Sequence, residues 1–201
     1  NRLDDVIAAA KASGQPALAL TDHGNLFGAI DFYDKARKAG VKPIVGIEAY
    51  LTPGTDRRDR SRVRWGNGGQ DDVSGAGAYT HMTMLAQSTA GMHNLFRLSS
   101  LASIEGFYFK PRMDRELLQT YADGVIATTG CPSGEVQTLL RLGKYDAAIQ
   151  AASDYRDIFG SGSYYAELRD HGLGVERRAH AGLLGPGRQL DLPLVAPNAL
   201  H

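Results

Sequence analysis

A short apolar run, Ala17 to Leu20, ends abruptly in Thr21-Asp22-His23-Gly24-Asn25, and an amphipathic stretch follows at once. Apolar residues without polar alternation predict a strand buried on both faces. The cluster that ends the run holds side chains able to bind metal or carry protons, and Gly24-Asn25 predicts a turn. A buried strand that delivers a histidine to its C-terminal end and then turns into a helix is the building unit of α/β enzymes. How far that unit recurs decides the fold.

It recurs along most of the chain. Upstream, Leu3–Ala12 predicts a helix with Leu3, Val6, Ile7 and Ala10 on one face and Gly14 as its stop. Downstream, residues 26–38 predict a helix on which Leu26, Ile30, Tyr33 and Ala36 or Arg37 follow a 3.6-residue period, with Gly40 as its stop. Further strands are expected at 43–49, with Glu48 near its C-terminal end, and at 79–86, with His81 early in the run. Three more follow at 124–129, leading into Gly130-Cys131-Pro132, at 164–168 and at 194–196. Helices are expected over 89–99, over 114–121 with Asp114 as N-cap, over 134–141 and over 145–159. One beginning near 175 should break at Gly185-Pro186-Gly187. Strands alternating with helices, most of them followed by Asp, His, Glu or Cys, predict a TIM-like (β/α) barrel. In such a barrel the C-terminal strand ends converge on one mouth. An open doubly wound sheet would gather ligands at a single switch point instead. Because the chain opens on a helix, the first strand of the barrel is expected to be missing.

Composition narrows what such a mouth could do. The 201 residues suffice for one domain with a full core, and the formal net charge is zero. No bulk positive field therefore draws the chain to nucleic acid, and a polyanion would need local cations or bound metal. The lone cysteine, Cys131, excludes an internal disulfide framework and fits a reducing, cytoplasmic setting. No apolar run approaches the roughly 18 residues of a membrane span, so no membrane partner is expected. Residues 52–78 form a long basic and Gly-rich loop with Arg57, Arg58, Arg60, Arg62 and Arg64. They read either as a flap over a phosphate-bearing substrate or as a solvated insertion in which Asp56, Asp59, Asp71 and Asp72 offset the arginines.

The residues able to carry chemistry are His23, Glu48, His81, Cys131 and His201. Imidazole and thiolate suit Zn²⁺, and a carboxylate also admits Mn²⁺ or Fe²⁺. Each has a plainer role when taken alone: a hydrogen-bonded strand-end histidine, or a small buried cysteine. Before Pro132 and a helix start, Cys131 could also be a thiolate nucleophile, but no local base is evident. Together, on different strands, they favour a metal cluster. Asp22 is read as an orienter or turn former, and His93 as solvent-facing or packed. Asp170 with His171 reads as a substrate-side pair or a turn, and Glu176 with His180 as a surface pair. No Walker loop, dinucleotide fingerprint or Gly-x-Ser-x-Gly elbow is present.

Five segments form an ordered series: Thr-Asp-His-Gly-Asn-Leu-Phe-Gly-Ala at 21–29, Pro-Ile-Val-Gly-Ile-Glu-Ala-Tyr at 43–50, Ser-Gly-Ala-Gly-Ala-Tyr-Thr-His at 74–81, Thr-Thr-Gly-Cys-Pro-Ser-Gly-Glu-Val-Gln-Thr at 128–138 and Glu-Leu-Arg-Asp-His-Gly-Leu at 167–173. The series resembles the polymerase-and-histidinol-phosphatase (PHP) domain of bacterial DNA polymerase III alpha subunits, above all the actinobacterial replicative type. That resemblance implies a distorted (β/α)7 barrel, 1–201, at the N-terminal end of a much longer DNA-directed DNA polymerase. It implies a zinc, manganese or iron cluster held by His23, Glu48, His81, Cys131 and His201, which in family members with an intact site hydrolyses the 3′-terminal phosphodiester of a mispaired primer. The implied partners are the primer 3′ end, the rest of the polymerase chain, and a sliding clamp or proofreading subunit.

Departures from the family point to an incomplete site. The His-x-His motif of the first strand and the acidic ligand after it are missing. Asn198-Ala199-Leu200-His201 puts Ala199 where a carboxylate ligand belongs, and Asn198 points to the opposite face of an extended strand. The expectation is weak or absent 3′–5′ exonuclease activity. The alternatives are a metal-poor scaffold bracing the polymerase through a large apolar patch, and a free-standing phosphoesterase acting on small phosphate monoesters.

Overall fold

Ile44, Val45, Ile47, Ala49 and Leu51 give one stretch of chain the apolar, β-branched content of a central strand, and the computed structural model places it at the middle of the sheet. The structure describes residues 2–67, 72–168 and 189–197 together with Leu183, Gly185 and Gly187. Up to the loop, these form α1 (Leu3–Ala12), β1 (Ala17–His23), α2 (Ala29–Ala39) and β2 (Lys42–Leu51). Beyond it come the left-handed turn α3 (Ser74–Gly77), β3 (Thr80–Ala86), α4 (Thr89–Glu105), β4 (Phe107–Tyr108) and β5 (Lys110–Met113). The rest is α5 (Arg115–Tyr121), β6 (Val125–Thr128), α6 (Glu135–Arg141), α7 (Tyr145–Phe159), β7 (Tyr164–Glu167) and β8 (Leu194–Val195). Among the described residues no helix is long and apolar enough to cross a membrane.

The strands make one mixed eight-stranded sheet ordered β4-β5-β2-β3-β6-β7-β8, with β1 also on β2. β1 runs along β2 from Ala17↔Lys42 to His23↔Glu48, and β5 takes over the same edge at Tyr50↔Arg112. This departs from a uniform β/α barrel in one respect that matters for the site. β3 is antiparallel to both β2 and β6. A parallel neighbour needs a crossover, usually a helix, whereas the described residues of 52–78 hold only the turn α3. Reversal brings the start of β3 beside the end of β2, with Tyr50 opposite His81. Thus the early position of His81 puts it at the same sheet end as His23 and Glu48.

Other sequence expectations need correction. β1 is not buried on both faces: its residues are half-buried or exposed, because β2 is its one strand neighbour among the described residues. α2 buries Ala36, as expected, but together with Ala29 and Phe32, leaving Ile30 82% exposed and Tyr33 exposed as well. Apolar residues occupy both helical stripes here, and bulky Phe32 takes the seam against Ile7, Ala36 and Val41. α4 runs to Glu105, past the expected end, because Leu95, Leu98 and Ala102 continue its buried stripe. The β4–β5 hairpin was not predicted; it is short, contains Pro111 and turns through Phe109 at φ 61°. Leu183, Gly185, Gly187 and Gln189 are helical, where a break was expected at Gly185 and Gly187; Pro186 lies outside the described residues. Leu183 is buried in the main core, and such packing outweighs weak helix propensity.

The loop at 52–78 is strapped to the body rather than free over a substrate. Arg57 is buried, with Nε 2.7 Å from Glu105 and Nη1 3.0 Å from Asp114. Asp114 also caps α5, as expected, accepting Leu117 N–H at 2.9 Å. Arg58 pairs with the same Glu105, and Arg62 lies over Phe109 at 5.0 Å. Arg112 does most of the strapping. Its guanidinium donates to the carbonyl oxygens of Gly106, Ala78, Arg57 and Asp59 at 3.1, 3.2, 3.0 and 2.8 Å.

Candidate metal centre

Strand alternation and register put His23, Glu48, Tyr50 and His81 on one face of the sheet. Glu48 and Tyr50 are two apart on β2, His23 is the register partner of Glu48, and His81 that of Tyr50. Glu48 is the hub. One carboxylate oxygen lies 2.8 Å from His81 Nδ1 and 3.8 Å from Cys131 Sγ, and the other lies 3.4 Å from His23 Nε2. Cys131 Sγ is 3.7 Å from His81 Nδ1. Glu48 is 5% exposed, whereas the His23 side chain is 51% exposed, so solvent reaches the group from the His23 side.

Cys131 is brought in by the loop between β6 and α6. Glu167, buried at the end of β7, accepts from the Thr128 hydroxyl, whose oxygen accepts Gly130 N–H at 3.1 Å. Gln137 donates to Gly130 O at 2.5 Å, and His81 N–H donates to Ser133 O at 3.1 Å. Gly130 has φ 75°, and a Cβ there would stand 3.0 Å from His81 O, so the loop lies directly on the start of β3.

The electrostatics follow from this crowding. Burial disfavours the charged His81 ring, but Cys131 and Glu48 beside it outweigh burial and push its pKa up to about 9. Burial, then Tyr79 and Glu48, raise the Tyr50 hydroxyl. The donors of Glu48, His81 and Cys131 all lie within 4.8 Å of one another. Two ligands at 2.0–2.3 Å from a tetrahedral ion stand roughly 3.3–3.8 Å apart. The distances of Cys131 Sγ to both partners match that span, and the 2.8 Å contact between Glu48 and His81 is the one that must open. The nitrogen, oxygen and sulfur set fits a divalent transition metal, whose binding displaces the proton shared by His81 and Glu48.

The structure thus gathers His23, Glu48, His81 and Cys131; His201 lies outside the described residues. So do Asp170, His171, Glu176, His180, Asn198 and Ala199. Asp22 turns away from the group and accepts Gly28 N–H at 2.8 Å, forming the turn into α2. His93 is exposed against Phe96. Sequence reasoning missed Tyr50, Gln137 and Glu167; for Tyr50 the available signal was its place two residues after Glu48. Asp56, Asp114 and Glu116 also bring their carboxylates close, but Arg57 faces Asp114 and Glu116 and Arg58 faces Asp56, offsetting their charge.

An α/β domain with a mixed His/Glu/Cys donor set at one sheet end is the class these observations define. The family model described as PHP domain matches residues 1–171, and the chain belongs to that family. DNA polymerase III subunit alpha of Saccharopolyspora erythraea is 56% identical over 206 residues, which cover 98% of this chain and 17% of that protein. The subunit of the same name from Mycobacterium tuberculosis is 52% identical over 203 residues, covering 100% of this chain and 17% of the relative. That of Thermus aquaticus is 42% identical over 186 residues, or 92% and 14%. The chain therefore spans about one sixth of the length of the curated relatives it matches. A solved structure from Bifidobacterium adolescentis, named as a metal-dependent phosphoesterase, shares the fold with TM-score 0.52 at 13% identity, covering 100% of this chain and 85% of its own.

Proposed function

We propose that this chain is the PHP domain of a bacterial replicative DNA polymerase III alpha subunit and that His23, Glu48, His81 and Cys131, with His201, hold divalent metal. Identity of 52–56% over nearly the whole chain supports the polymerase context. The observation that carries the metal reading is the triangle of Glu48, His81 and Cys131 donors within 4.8 Å. On this reading residues 1–201 form one domain, and its mixed sheet supplies the wall of that family's distorted barrel. A zinc, manganese or iron ion held there supplies a water nucleophile of lowered pKa and neutralises charge on a phosphoryl oxygen. Glu48 contributes the negative charge that binds the ion, and Cys131 a thiolate. His23 is the half-exposed member, so a primer 3′ end reaches the group from its side. Other replisome subunits, a sliding clamp or a proofreading subunit, would adjoin the longer chain in the cytoplasm.

Because Ala199 replaces a carboxylate in the expected ligand series, the account predicts slow hydrolysis. The test is 3′–5′ cleavage of a mispaired primer by the full-length protein, with Mn²⁺ or Zn²⁺ added and with a chelator. Slow, metal-dependent cleavage that disappears in His81→Ala is expected. Fast cleavage abolished by the same substitution would contradict the predicted weakness and leave the metal reading standing.

A further inference from the structure

The cations around residues 52–78 are mostly engaged. Arg57 and Arg58 face carboxylates, Arg62 lies on aromatic rings, and Arg112 is held by carbonyl oxygens. Lys110 differs. It is exposed on the strand that follows β1 along the same edge of β2, and no carboxylate of the described residues lies within ion-pair distance of it. Its ammonium stands 5.4 Å from the centre of the Tyr50 ring. That ring is in turn 5.2 Å from the His81 ring and 6.5 Å from the His23 ring. The hairpin carrying Lys110 is pressed against the end of β1: a Cβ on Gly24 would stand 2.7 Å from Tyr50 Cε2 and 3.0 Å from Pro111 Cγ. Gly24 directly follows His23, and Pro111 directly follows Lys110. The fold therefore brings a cation with no carboxylate partner among the described residues to the rim of the His/Glu/Cys group, its head beside the aromatic ring between it and the histidines.

We infer that Lys110 is an anion-binding residue of this site, positioning the phosphate group of the substrate next to the metal ligands; the inference rests on the phosphoester reading above. A phosphate oxyanion at the half-exposed His23 side meets the ion on one flank and the Lys110 ammonium on the other. At separations near 8 Å in a largely aqueous setting, one such charge changes the affinity for a phosphate dianion by about five- to tenfold. The effect is direct attraction, so arginine should replace lysine and glutamate should repel.

The test uses the full-length protein loaded with Mn²⁺ and titrated with inorganic phosphate, reading the broadening of the ³¹P line by bound manganese. Metal content is measured separately for each variant. Lys110→Ala should keep its manganese and bind phosphate five- to tenfold more weakly, Lys110→Arg should restore binding, and Lys110→Glu should abolish it. Added salt should shrink the difference. If Lys110→Ala binds phosphate as tightly as the wild type while His81→Ala loses manganese, Lys110 has no such role and the metal reading survives. If the wild type and His81→Ala hold the same manganese and broaden the line equally, the phosphoester reading fails and the Lys110 role with it.

Discussion

Replacing Arg112 by methionine detaches residues 52–78 from the body of the domain. Arg112 is 1% exposed and is the largest fully buried side chain, and its nitrogens serve four carbonyl oxygens from the loop and from the end of α4. Burial lowers its pKa, yet a guanidinium stays charged at neutral pH. Methionine fills similar volume but donates nothing, leaving those carbonyls without their side-chain donor. Each buried group so stranded costs about 1–3 kcal/mol. Gly106 O keeps the Arg112 backbone N–H at 3.3 Å and Asp59 is exposed, so the cost falls mainly on the carbonyls of Ala78 and Arg57, still a large share of the roughly 5–15 kcal/mol of a typical domain. Hydrogen exchange in the full-length protein reads the result locally: amides at 57–67 and 78–81 should lose protection in Arg112→Met and recover only partly in Arg112→Lys. Wild-type protection in Arg112→Met would show that the strap contributes little.

Glu48→Gln is the second large effect. The carboxylate touches three of the predicted ligands, and glutamine preserves its volume while removing its charge. Loss of a charged ligand at the hub should weaken metal binding by more than about a hundredfold, exceeding what the loss of an outer hydrogen-bond partner costs. Metal equivalents retained after gel filtration measure this, and a melting curve of the chelated protein separates it from unfolding. The variant should melt near the wild type once both are metal-free. Full retention of metal by Glu48→Gln would remove Glu48 from the centre of the site.

Strand ends and residue types made much of this legible. His23 at the close of one apolar run, Glu48 near the close of the next and Cys131 after a later one point to the candidate donors without any structure. His81 shows where that reasoning thins. A rule that ligands sit at C-terminal strand ends fits a parallel barrel, whereas β3 runs the other way and offers its first turn of residues. Direction goes with the connection at 52–78, whose described residues hold no crossover helix beyond the turn α3; the sequence displays its length but not its path. The arginines of that loop carry the same lesson. No local pattern separates Arg57, sunk between Glu105 and Asp114, from exposed Arg60 and Arg64, because its partners lie far away in sequence. Likewise the periodicity of α2 supports two stripes, and only the packing of Phe32 selects one. The hairpin bearing Lys110 escaped for its brevity and its proline.

Metal at the group of His23, Glu48, His81 and Cys131 can be seen by anomalous diffraction at the zinc or manganese edge, from crystals of the full-length protein grown with that metal. A peak bonded to Glu48, His81 and Cys131 is expected, with the Glu48–His81 hydrogen bond opened. Anomalous density elsewhere, with that hydrogen bond still closed at 2.8 Å, would contradict it.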